Sequence, residues 1–137
     1  MKQHSTNYYN TFILIAEDSS VSNAEIPPVK ETNRTAANIQ FEMIMNNPYR
    51  YTSDEVLFQV FYEKNTIDEK EKISQRELFF SKGQPCFRAS PLTKRYGWGV
   101  HYNEEGKMAL YPVESSEYQK YSNDTELKIL KAMKSSR

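Results

Sequence analysis

Two alternating runs on either side of a short polar tetrad restrict what this chain can fold into more than any other feature. Tyr96 to Tyr102 puts Trp98, Val100 and Tyr102 on one side and Gly97, Gly99 and His101 on the other, the period of two that a pleated strand imposes. Asn103-Glu104-Glu105-Gly106 then reads as a turn with glycine last, and Lys107 to Val113 as the returning strand. A β-hairpin in the second half of the chain is the expectation. Thr11 to Ala16 (TFILIA) is a continuous apolar run rich in β-formers and reads as a buried strand. Pro85 to Ala89 is compatible with an edge strand, where proline is tolerated.

The helical signals lie elsewhere. Thr35 to Asn47 carries Ala36, Ile39, Met43 and Ala37, Phe41, Ile44 at helical spacing, and Asn46-Asn47-Pro48 stops it. Thr52-Ser53-Asp54-Glu55 is a capping box, a hydroxyl and a carboxylate that satisfy each other's free amides. Val56 to Tyr62 is β-branched and aromatic, which leaves strand open, but the cap favours helix. Ser74-Gln75-Arg76-Glu77 is a second box, with Gly83 suited to the left-handed position that ends a helix near 75–82. Ser115 to Ser122 is expected to make one or two helical turns. Asn123-Asp124 would cap a last helix, Thr125 to Lys134, with Leu127, Leu130 and Met133 inward. The polar residues 1–7 read as a tail and 17–33 as a long loop. The sum is one α+β domain over 1–137, a small mainly antiparallel sheet with about four helices packed on one side.

Composition closes off several functional classes. Eighteen basic against eighteen acidic residues give no net charge, which disfavours a globally basic nucleic-acid binder and leaves room for a local basic face. No apolar run approaches the roughly 20 residues that span a bilayer, and MKQHSTNYYN lacks the apolar core of a signal peptide. One cysteine forms no internal disulfide, so a reducing, cytoplasmic setting is expected. His4, His101 and Cys86 have no zinc-site spacing, so neither metal nor cofactor is expected.

Function points to one block. Between Glu77 and Glu104 there is no carboxylate, yet Lys82, Arg88, Lys94 and Arg95 fall there with Tyr96, the only tryptophan (Trp98) and His101. Cations without local partners are solvated, paired elsewhere in the fold, or waiting for an anion. The anion reading is a site made by Lys82, Arg88, Ser90, Lys94, Arg95, Tyr96, Trp98 and His101, gripping a phosphorylated metabolite or a nucleic-acid segment. The plain reading pairs the cations with Glu42, Glu55 or Glu117 and buries Trp98 between its glycines as core. Cys86 is the one candidate thiol nucleophile, with His101 as its base if their strands are neighbours. The plain reading makes Cys86 a small buried hydrophobe. A third alternative is a protein-interaction or structural role for 17–33 and the charged segment 63–72.

The stretches TFILIAED (Thr11 to Asp18), the Pro27-Pro28 pair, PYRYTSDEVLF (Pro48 to Phe58), FFSKGQPCFRASPLTKRYGWGVH (Phe79 to His101) and GKMALY (Gly106 to Tyr111) carry a likeness over nearly the whole chain. With them the chain resembles a family of small bacterial proteins classed as a domain of unknown function. The resemblance implies a bacterial, cytoplasmic, single-domain protein and assigns no activity, substrate or site residue.

Overall fold

The computed structural model describes residues 3–29 and 33–134. Its elements are β1 (Thr11–Leu14), α1 (Ala36–Asn46), α2 (Ser53–Lys64), α3 (Lys72–Phe80), α4 (Pro91–Lys94), β2 (Trp98–Tyr102), β3 (Met108–Pro112), α5 (Ser116–Ser122) and β4 (Lys128–Lys131). Short 3-10 turns at Glu69–Glu71 and Phe87–Ala89 precede α3 and α4. The four strands form one sheet in the order β3-β2-β1-β4, mostly antiparallel with a single parallel pair, β1 with β4. The protein is α+β, as its sequence pattern implies.

The expected hairpin is β2–β3, with Val100 opposite Leu110 and Gly106 in the left-handed region at φ 80°. Its alternation sorts the faces. Trp98, Val100 and Tyr102 enter the main core together with Ile13, Ile44, Val56 and Leu110, whereas Gly99 lies against Phe12 and Tyr118 on the opposite side. Helices α1 and α4 cover the first face, with α2 against α1 and α3 against α2. Helix α5 lies on the second, where Tyr118 meets Phe12 edge-on at 5.2 Å. Four helices thus lie on one side of the sheet, but α4 was not among those expected there, and α5 packs on the opposite face.

Local chemistry explains the helix starts. Thr52 and Glu55 form the expected capping box, Thr52 N–H donating to Glu55 Oε1 at 2.9 Å and Glu55 N–H to Thr52 Oγ1 at 3.3 Å. Residues 56–62 are accordingly helix, and the strand alternative falls. Segment 49–52 then runs beside β3, with Tyr49 N–H donating to Met108 O and Met108 N–H to Tyr51 O.

Four expectations are corrected. Thr125–Lys134 is not a helix: Asp124 turns the chain by accepting from Glu126 N–H, and Lys128–Lys131 is β4. The cause is β1, whose buried backbone needs partners along both edges; Lys128 N–H donates to Asn10 O and Ala132 N–H to Leu14 O. Within Pro85–Ala89 the chain makes a 3-10 turn, Phe87–Ala89, rather than an edge strand, and it drives the fully buried Phe87 into the core. Helix α3 starts at Lys72, with Ser74 bonded to Glu71 O instead of capping, and its C-cap Ser81 sits at φ −71°. Gly83 does not adopt the left-handed conformation, because the Ser81 and Gln84 side chains satisfy the last carbonyls, those of Leu78 and Phe79. Residues 3–7 are docked rather than frayed: His4 N–H donates to Phe80 O, while Thr6 N–H and Oγ1 both donate to the buried Asp54 carboxylate at 2.7 Å. Residues 1–2 of that expected tail lie outside the described residues.

Where described, 17–33 has no regular structure, but it is pinned: Trp98 Nε1 donates to Glu25 O and Asn38 Nδ2 to Pro27 O. No described helix is long and apolar enough to cross a membrane.

Candidate functional site

A cleft of about 380 Å³ opens between α1, α2, the end of α3 and the 84–91 segment. Apolar side chains make most of its wall, among them Leu57, Val60, Phe61 and Phe79. Polar side chains line it too, Asn65 and Gln84 among them, and three further features have a local origin. Gln40 occupies the buried stripe of α1 between Ala37 and Ile44 and is only 4% exposed. Ser90 caps α4, accepting Leu92 N–H, and spends its own proton on Gln40 Oε1 at 2.6 Å. The Gln40 Nε2 group then has no hydrogen-bond partner among the described residues.

The second feature is Cys86, brought to the cleft by the turn that buries Phe87. Its sulfur lies 3.1 Å from the hydroxyl of Tyr8, which stacks edge-on against Tyr102. Burial, then the bond to Cys86, push the Tyr8 phenol up to about 12, with the Arg88 guanidinium acting against them. Beneath, the Tyr102 hydroxyl is fully buried, and burial holds it well above the usual phenol range, with the nearby Ser53 hydroxyl acting against it. The third feature is Lys64, among the described residues the one charged side chain lining the cleft; its ammonium donates to Arg34 O at 3.1 Å. Arg34 itself is neutralised by Glu42 and Glu63.

The sequence-derived site residues are not gathered here. Of the eight proposed binding residues only Ser90 borders the cleft. Lys82 faces a separate hollow beside Leu78 and Gln75. Arg88 turns to β4, its Nε donating to Lys131 O at 2.7 Å. Lys94 and Arg95 end α4, and among the described residues neither has a carboxylate partner. Tyr96 is half-buried, with its carbonyl accepting Glu25 N–H. Trp98 is core, packed on Phe41 at 5.1 Å, so the plain reading holds for it.

Cys86 and His101 do not form a dyad. Cys86 belongs with Tyr8 and Tyr102 on the helix-covered face, whereas His101 projects from the other face of β2. There its Nδ1 lies 2.8 Å from the Tyr49 hydroxyl, which also bonds Tyr111 at 2.9 Å, and its ring stacks on Tyr121 at 4.2 Å. Burial lowers the His101 pKa against the pull of Asp124. This cluster closes the outer face with satisfied polar groups; it has no enclosed volume beside it among the described cavities. No described group of three or more His, Cys, Asp or Glu side chains is placed to hold a metal ion.

Sequence reasoning missed Gln40, Lys64 and Tyr8. Gln40 had a readable signal, an uncharged polar residue on an otherwise apolar helix stripe. Tyr8 had none, being joined to Cys86 across 78 residues.

No curated protein and no solved structure matches the chain. Residues 3–137 match the model of a Family of unknown function (DUF6157), and the chain belongs to that family.

Proposed function

We propose that this protein is a small-molecule-binding module whose cleft takes a compact amphipathic anion, an apolar body carrying a carboxylate. The observation that carries the reading is the cleft itself, a mostly apolar hollow with the Gln40 carboxamide and the Lys64 side chain on its wall. The apolar wall favours a hydrocarbon body, and about 380 Å³ falls in the range of ligand pockets. Lys64 supplies the sign: among the described residues it is the one charged group lining the cleft, so a negative head is favoured over a positive one. The anionic preference inferred from the sequence is retained, with the ligand moved from the 82–101 cations to this cleft.

Thermal unfolding with octanoate, 1-octanol and inorganic phosphate tests it. At about 100 times its dissociation constant a ligand stabilises the fold by ~2.7 kcal/mol. Octanoate should raise the melting temperature most, octanol less, and phosphate not at all. Ala36→Phe, which fills the cleft from the first turn of α1, should abolish the octanoate response. A phosphate response that survives Ala36→Phe, with none to octanoate, would refute the assignment.

A further inference from the structure

β4 is an edge strand with three of its four residues exposed. In a parallel ladder every second residue turns both backbone groups to the same neighbour. Lys128 N–H donates to Asn10 O and Ala132 N–H to Leu14 O, so Lys128, Leu130 and Ala132 face β1. Ile129 and Lys131 therefore turn their N–H and C=O groups outward. Arg88 takes the far end of that edge: its Nε donates to Lys131 O, and its carbonyl accepts Met133 N–H. Ile129 N–H, Ile129 O and Lys131 N–H are left without a hydrogen-bond partner among the described residues. The opposite edge differs. There β3 is bonded to Tyr49 and Tyr51 at its start, and Leu110 beyond them is buried. The gap on β4 is a donor–acceptor–donor row that a short extended segment completes.

The side chains around the gap decide what that segment carries. Lys128, Lys131, Lys134 and Arg88 bring four positive charges to it. Glu17 is the carboxylate bonded among them, shared by Lys131 and Lys134. Asp124 and Glu126 lie in the turn before the strand, not along the edge. Neither Lys128 nor Arg88 has a carboxylate partner among the described residues. Ile129 is 36% and Met133 52% exposed, apolar surface beside the same gap. A second copy of this chain fits poorly, because edge-to-edge pairing sets these lysines against their equivalents, and like charges across a ladder repel. The same lysines favour an acidic partner. We infer that the outer edge of β4 receives an extended segment of a partner protein in which acidic and apolar residues alternate, adding a fifth strand to the sheet.

A short peptide of alternating glutamate and valine tests this on the full chain, with a lysine–valine peptide as control. In fluorescence anisotropy the glutamate peptide should bind at low salt and the lysine peptide should not. At saturation, amide exchange read by NMR should slow by about tenfold or more at Ile129 and Lys131. Ile129→Pro removes an outward donor and leaves the bonds to β1 in place, as proline does on an edge strand. It should weaken binding by about tenfold or more. Lys128→Glu should weaken binding as well, and by less as salt is raised. Circular dichroism confirms that both variants fold; the exchange measurement needs neither of them. No binding of the glutamate peptide at low salt, equal binding of the lysine peptide, or unchanged exchange at Ile129 and Lys131 under bound peptide overturns the inference. Protection of those amides that grows with protein concentration alone assigns the edge to a second copy and overturns it too. The octanoate response of the cleft is independent of each of these outcomes.

Discussion

Replacing Gly99 with alanine adds one methyl group at the most crowded point of the outer sheet face. A Cβ there would stand 2.6 Å from Phe12 Cζ and 2.7 and 2.8 Å from two ring carbons of Tyr118, where carbon atoms prefer about 3.5–4.0 Å. Neither ring can give way easily. Phe12 is fully buried and held against Tyr121 as well as Tyr118. Tyr118 is tethered through its hydroxyl, which accepts Ile15 N–H at 2.9 Å. Overpacking of this kind costs about 1–3 kcal/mol, from which about 0.5–1 returns because alanine loses less backbone entropy than glycine. The expected net loss is about 1–2 kcal/mol, a fall in melting temperature of about 4–8 °C for a chain of this size. Urea unfolding should show a lower midpoint with an unchanged slope. In a Tyr118→Ala background the methyl has room, so the same substitution should become neutral, and the double-mutant cycle should return a coupling of about 1–2 kcal/mol. Equal stability for Gly99→Ala and the parent, or simple additivity with Tyr118→Ala, would refute the packing argument.

Three other outcomes are expected. His101 has its pKa lowered by burial, so protonation favours the unfolded chain: its contribution is complete above the ordinary 6.5 and is lost as pH falls through the lower folded value. His101→Gln, facing the same Tyr49, Tyr111, Tyr121 and Asp124, should flatten that part of a stability–pH profile measured by urea unfolding. Asp54→Ala strands the buried N–H and hydroxyl of Thr6 and should cost about 3 kcal/mol, with faster proteolysis near residues 4–7. Thr66 is β-branched, exposed and held at φ 51°, so Thr66→Asn should gain about 0.5–1 kcal/mol in thermal unfolding.

What was legible in the sequence was what neighbouring residues decide among themselves. The hairpin around Gly106 and the Thr52/Glu55 cap are written within a few positions of each other, and both are present. The last strand was not legible in this way. Leu127, Leu130 and Met133 have helical spacing and the lysines are good helix formers, but the need of a buried strand more than a hundred residues earlier outweighs a few tenths of a kcal/mol per residue of propensity. The site suffered from the same limit. A run of cations is conspicuous in one dimension, yet Lys82, Arg88 and Lys94 hang on three different elements and turn to different surroundings. The cleft instead depends on Gln40 and Lys64, which come from helices outside that run.

The parallel seam between Thr11–Leu14 and Lys128–Lys131 has a consequence for biosynthesis. During translation the earliest strand leaves the ribosome with an open flank and keeps it until residue 131 has emerged. Until then a greasy ribbon with free amides is exposed to neighbouring nascent chains. A product stalled or shortened before residue 128 will therefore be adhesive rather than merely less stable.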